Sequence, residues 1–364
     1  MPGTLPHRTQ GISAIMHLSR YFFWPLLFTV LGLMTVFWIG WQTTGTLAGA
    51  SSFFLIGAVL AVLEISLSFD NAIVNANKLQ YMSEKWQRRF LTWGILIAVF
   101  GMRIIFPLAI VAVAAKVGPL AALDLAMFRP DEYAAIIEES QLSISAFGGT
   151  FLMMVAITYF VDAEKEIDWF VALEKRLRQW ASLRGLEIAF VILVMMCFAW
   201  ILPNEEDVGE FLFSGMLGLL TFLMVELLGN LLDKAEDARD MARAGGLGAF
   251  LYLEVLDASF SFDGVIGAFA FTRNLFLIAI GLGIGAFYVR AMTVMLVERN
   301  TLSKFRYLEH GAFYSIFLLS VIMFAQSQFH IPEILTGLIG VALIGLALAA
   351  SLRYNRKSRH NSST

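Results

Sequence analysis

Apolar residues fall in long runs along this chain, and polar residues collect in the gaps. Runs able to cross about 30 Å of hydrocarbon as helix lie at 21–41, 51–77, 90–115, 144–161, 187–202, 211–230, 246–271, 275–297, 311–329 and 332–351. They predict an all-α polytopic membrane protein with about ten transmembrane helices. Lysine and arginine test the count, because short cytoplasmic loops collect them. With the N-terminus inside, 21 of the 26 Lys and Arg fall in cytoplasmic loops and 3 outside, the other two being Arg103 and Arg290 within runs. Adding or removing one run in the middle destroys this alternation, so both termini are expected in the cytoplasm. The first run follows Arg8 and Arg20 and is longer than a signal-peptide core, which makes it a retained span.

Two runs are broken by acids in the same way. Glu64-Ile65-Ser66-Leu67-Ser68-Phe69-Asp70 is matched 193 residues later by Asp257-Ala258-Ser259-Phe260-Ser261-Phe262-Asp263, acid for acid and serine for serine. The match continues outward: Gly94, Phe100 and Arg103 share the spacing of Gly281, Phe287 and Arg290, and Gly149-Thr150-Phe151 corresponds to Gly311-Ala312-Phe313. Two three-helix units follow, at 51–161 and 246–330. Their first helices are five spans apart, an odd number, so the units enter the membrane from opposite sides. In such an inverted repeat, substrate sites lie near the midplane where the units meet. Residues 1–50, with the first span, 162–245, with two linking spans, and 331–364, with the last span, become peripheral additions. Within them, 162–184 predicts an amphipathic helix on the membrane surface, and the basic tail 353–364 predicts disorder. The acidic stretch 120–143 and the turn 204–210 are expected as solvated external loops.

Composition agrees and narrows the function. With 58% hydrophobic residues, 15% charged residues and a mean hydropathy of +0.72, the chain lies outside the range of soluble domains. The net charge of −3 leaves no footprint for nucleic acid, so none is expected as a partner; the bilayer is. One cysteine, Cys197, excludes a disulfide framework or thiolate metal site within one chain. No Walker motif is visible, so energy for transport would come from ion gradients.

Carboxylates within a membrane span are costly, at about 2.5–3.5 kcal/mol each on insertion scales, and are functional candidates by default. On an unbroken helix Glu64, Ser68, Asn71 and Asn75 share one face, while Ser66, Asp70 and Asn77 form a second stripe. The second unit places Glu254, Asp257, Ser261 and Gly264 on one face, with Ser259 and Asp263 on the other. Local unwinding at Asp70-Asn71 and Asp263-Gly264 would let both acids of a unit converge. Facing segments would gather Glu64, Asp70, Asn71, Glu254, Asp257 and Asp263 as metal ligands, with Ser66, Ser68, Ser259 and Ser261 as auxiliary oxygens. This oxygen-only set suits hard divalent cations such as Mn²⁺, Ca²⁺ and Mg²⁺ better than zinc or copper. Arg103 and Arg290 read as counter-ions, Glu226 and Asn230 as residues of an access path or of the interface, and His310 and His330 as interfacial. The Gly281, Gly283, Gly285 run reads as close helix packing.

The stretch Glu64-Ile-Ser-Leu-Ser-Phe-Asp70-Asn71-Ala72 resembles the first acidic motif of the TerC-like integral membrane family. Glu254-Val-Leu-Asp257-Ala-Ser-Phe-Ser-Phe-Asp263 resembles its second, and Tyr307-Leu308-Glu309-His310-Gly311 is also similar. The chain departs from that family in its extra first span, in its long connections at 120–143 and 162–184, and in Asp263-Gly264 where Asp-Ser is commoner. The resemblance implies a longer branch of a LysE-type exporter superfamily, in a bacterial cytoplasmic (inner) membrane. It implies metal-ion efflux, with Glu64, Asp70, Asn71, Glu254, Asp257 and Asp263 as the site.

The reading is a secondary transporter, not an enzyme, that exports a hard divalent cation, manganese first and calcium second, in exchange for protons. No tightly bound cofactor is expected, and a homo-oligomer is compatible with the sequence. The rivals are a non-transporting metal-binding membrane module and an intramembrane aspartyl protease. Neither acidic segment has the Gly-x-Gly-Asp pattern that such proteases resemble, and an acidic site repels the substrates of an anion exporter.

Overall fold

The computed structural model describes residues 8–162, 165, 167–180, 185–239, 246–269, 271–329 and 331–361, and every element among them is helical. The chain is an all-α polytopic membrane protein. Its helices are α1 (Arg8–Thr44), α2 (Leu47–Leu67), α3 (Phe69–Leu79), α4 (Glu84–Leu96), a π-helical segment (Ile97–Ile105), α5 (Phe106–Ala114), α6 (Pro119–Phe128), α7 (Pro130–Glu139) and α8 (Gln141–Val161). After these come α9 (Val171–Trp180), α10 (Leu186–Ile201), α11 (Glu205–Arg239), α12 (Leu247–Phe269), α13 (Leu275–Glu298), the single turn α14 (Thr301–Lys304), α15 (Leu308–Ala325) and α16 (Glu333–Asn361).

Eight stretches among the described residues are long and apolar enough to span a membrane. The other two predicted spans are helical but different in kind. The run at 187–202 becomes α10, only 16 residues long. The run at 246–271 becomes the 23-residue α12, whose hydropathy is diluted by Glu254, Asp257 and Asp263. Burial ranks the spans: 72% of the membrane-length stretch is buried in α8 and in α13, against 11% in α1. The former pair forms the centre, and α1, with Phe23, Trp24 and Met34 exposed, lies at the rim.

Local chemistry explains the boundaries. Thr46 caps α2 by accepting from the Gly49 amide, and Asn274 caps α13 by accepting from Leu277. Gly45, at φ +64°, makes the left-handed turn between α1 and α2. Inside α13 the glycine run works as close packing. A Cβ on Gly281 would come within 2.8 Å of Leu60, and one on Gly285 would collide with the Cβ and Cγ of Glu64. Their bare backbones therefore let α2 lie against α13 with a carboxylate at the contact.

Several expectations are corrected. The stretch 120–143 holds two helices, α6 and α7, each opened by a proline at its first position. Tyr133 and Ile137 are fully buried in a core shared with Val265 and Ile278, so this excursion is a packed cap rather than a solvated loop. The described part of the tail is helical: α16 runs on through it to Asn361. In the linker, α9 does not simply float on a membrane surface, because Glu174 is fully buried against α15. The Glu174 carboxylate accepts from Lys165 Nζ at 2.6 Å, Tyr314 Oη at 2.9 Å and the amides of Trp169 and Phe170. His310 is likewise buried rather than interfacial, with Nε2 2.8 Å from the Ile167 carbonyl and 3.4 Å from Glu174. His330 lies outside the described residues.

Candidate functional site

The first acidic segment does break. Between α2 and α3, Ser68 leaves helical geometry at φ −99°, ψ 18°. The break lies two residues before Asp70 rather than at Asp70-Asn71. The second segment does not break: α12 runs through Asp257, Asp263 and Gly264 without interruption. The two segments nonetheless meet. Asn71 Nδ2 donates to Asp257 Oδ1 at 2.7 Å, and Lys78 sits 5.3 Å from the ring of Tyr252, so α3 and α12 run antiparallel side by side.

Each buried arginine answers an acid of its own repeat. Arg103, on the π-helical segment, forms an ion pair with Glu64 and donates to the Ala98 carbonyl. A π-segment adds a residue to one turn of helix and recurs at functional sites; here it carries the guanidinium. Arg290 of α13 lies 3.4 Å from Asp257 and 3.6 Å from Glu254, donates to the Gly94 carbonyl at 3.1 Å, and stacks 3.7 Å over the Phe90 ring. A Cβ on Gly94 would sit 2.6 Å from Glu254 Oε1, so only glycine leaves room for this pair. All five charged groups are nearly inaccessible, at 6% exposure or less.

Asp70 differs. It is 5% exposed and has no basic partner among the described residues. Its oxygens accept only from neutral donors, the Asn71 amide at 2.9 Å and the Ser315 hydroxyl at 2.8 Å. Beside it lies a cavity of about 40 Å³ lined by Glu64, Asp70, Asn71, Ser315, Thr336 and Gly340, among others. Ser68 also lines it and donates to Glu64 at 3.2 Å. Two of the lining residues carry a buried oxygen, Asn71 Oδ1 and Thr336 Oγ1, without a hydrogen-bond partner among the described residues. Buried polar atoms in that state are uncommon and mark an absent partner or a functional role.

The structure thus divides the predicted residues. Glu64, Ser68, Asp70 and Asn71 share the cavity, with Gly264 opposite Glu64. Asp257 and Glu254 form a second, adjoining centre around Arg290. The remaining serines do not join either group by a hydrogen bond. Ser66 is exposed and bonded to the Val62 carbonyl of its own helix. Ser259 bonds back to Val255 in the same way, and Ser261 is buried without a hydrogen-bond partner among the described residues. The side chains of Asp263 and Asn230 lie outside the described residues. Glu226 is exposed and contributes nothing to the cavity. No group of three His, Cys, Asp or Glu side chains converges as a metal cluster among the described residues. Among the described residues, the expected ligands fall into two adjoining groups joined through Asn71.

Three contributors escaped sequence reasoning. Ser315 and Thr336 are single hydroxyls in apolar helices, a pattern too common to signal anything. The last span, read as peripheral, supplies one wall of the cavity through Thr336 and Gly340.

Fold and site together define a multi-pass helical membrane protein with ion-paired carboxylates at its centre. The family model of a protein of unknown function (DUF475) matches residues 69–358, so the chain belongs to that family. The matched region begins one residue before Asp70 and includes both centres except Glu64 and Ser68. No curated protein and no solved structure matches the chain.

Proposed function

We propose that this protein is a secondary transporter that exports a hard divalent cation, manganese first and calcium second, in exchange for protons. The observation that carries this reading is Asp70, a buried carboxylate beside a cavity with no basic partner among the described residues. A bare carboxylate in that environment is strongly disfavoured and must be neutralised by a cation or by a proton. The two can then compete for one group, which is the elementary requirement of an exchanger. Glu64, Asn71, Ser68 and Ser315 add oxygen donors around the same space, a set suited to manganese or calcium.

In this reading Arg103 compensates the charge of Glu64, while Arg290 compensates the charge of Asp257 and Glu254 in the adjoining centre. The matched motifs of the two units and the resemblance to the TerC-like family support an inverted repeat with the site at its midplane. The loop charges support cytoplasmic termini, and the resemblance to the TerC-like family supports a bacterial inner-membrane location. Equilibrium binding of Mn²⁺ to detergent-purified protein tests the site, with Asp70→Asn as comparison. Saturable binding lost in the variant is expected. Undiminished binding by Asp70→Asn would remove the basis of the assignment.

A further inference from the structure

The cavity beside Asp70 is small and its wall is assembled from four parts of the chain. We infer that it takes its divalent cation largely stripped of water, with the hydroxyls of Ser315 and Thr336 replacing hydration oxygens, and that it thereby excludes Mg²⁺. This rests on the proposed cation-binding role of Asp70 and specifies how that site chooses its ion.

The lining decides the hydration state. Glu64, Ser68, Asp70, Asn71, Ser315 and Thr336 all line the cavity, so side-chain oxygens stand where a six-coordinate ion would otherwise keep water. Asp70 and Glu64 supply carboxylates, and the lining residues Asn71 and Thr336 each carry a buried oxygen, Oδ1 and Oγ1, with no hydrogen-bond partner among the described residues. Ser315 lies on the Asp70 carboxylate at 2.8 Å. Unpartnered oxygens on two residues of one lining are those that a dehydrated ion would recruit.

Two glycines keep the space open. A Cβ on Gly340 would lie 2.8 Å from Ser315 Oγ and 3.9 Å from Asp70 Oδ2, and one on Gly264 would lie 3.0 Å from Glu64 Oε2. Hence α16 and α12 approach the ligand oxygens by backbone rather than side chain. Mg²⁺ demands near-ideal octahedral geometry and gives up water reluctantly, whereas Ca²⁺ accepts irregular oxygen cages. A site that replaces water with an uneven set of protein oxygens penalises Mg²⁺ most.

The test is Mn²⁺ binding to the purified full-length protein with Mg²⁺ as competitor, in wild type, Thr336→Val, Thr336→Ser, Ser315→Ala and Asp70→Asn. Wild type is expected to prefer Mn²⁺ to Mg²⁺ by more than tenfold. Thr336→Val and Ser315→Ala should each weaken Mn²⁺ by about tenfold, the order expected for loss of one supporting group, and Thr336→Ser should restore it. Equal competition by Mg²⁺, or wild-type affinity in both Thr336→Val and Ser315→Ala while Asp70→Asn loses binding, overturns this inference and leaves the cation-site reading standing. Wild-type affinity in Asp70→Asn overturns both.

Discussion

Replacing Arg103 by Met removes one half of a fully buried ion pair and leaves the other half behind. Glu64 and Arg103 are each 3% exposed, and no second base stands near Glu64 among the described residues. The stranded carboxylate keeps only the Ser68 hydroxyl at 3.2 Å. Breaking a buried pair from one side costs about 3–5 kcal/mol, whereas replacing both partners with groups of similar volume is often neutral. Arg103→Met should therefore lower stability by about 3–5 kcal/mol, and Glu64→Gln/Arg103→Met should recover most of that loss. The difference is the coupling energy of a double-mutant cycle. Equilibrium unfolding of the purified protein in mixed micelles measures all four species of the cycle. Arg103→Met as stable as wild type, or a double variant no better than the single one, would refute the claim that Arg103 compensates Glu64.

Three further outcomes are expected. Gly264→Ala places a methyl group 3.0 Å from Oε2 of Glu64, whose carboxylate Arg103 and Ser68 hold through Oε1, so Mn²⁺ affinity should fall about tenfold while overpacking costs about 1–3 kcal/mol; binding and unfolding of the same preparation separate the two effects. Asp263→Asn, at the position that repeats Asp70, should abolish transport in protein that still inserts and elutes as wild type; undiminished flux would sink its place in the site. Burial raises the Glu174 pKa, but the bonds from His310, Lys165 and the Phe170 amide outweigh it and hold the group below the usual carboxylate range. A depressed folded-state pKa gives stability that is present above the unfolded value of about 4.3 and lost as pH falls below it. Melting temperature should thus decline below about pH 4, and Glu174→Gln should flatten that decline; an unchanged slope would discount the contact.

Much of this architecture was legible because membrane-length apolar runs have few alternatives. The centre was partly legible too: a repeated acid-serine pattern within such runs brought Glu64, Asp70, Asn71 and Asp257 into consideration, and contacts join them. What could not be read was orientation. Ser66 and Asp70 share a stripe on an unbroken helix, yet Ser66 is exposed and Asp70 buried across the irregular Ser68. No residue type announces that break, because serine is acceptable on either side of it. The caps α6 and α7 were more accessible than they were taken to be, since Pro119 and Pro130 are ordinary helix-opening residues. The engagement of Glu174 depends on distant Tyr314 and His310, which local pattern does not connect to it.

In the proposed exchange a divalent cation and protons compete at Asp70. Purified protein reconstituted in liposomes, with external Mn²⁺ and an internal pH dye, shows whether they do. Mn²⁺ entry with proton movement the other way is expected, slowed by Ca²⁺ and absent in Asp70→Asn. Manganese and proton fluxes that persist unchanged in Asp70→Asn, or no flux of any divalent cation through correctly inserted wild-type protein, would contradict it.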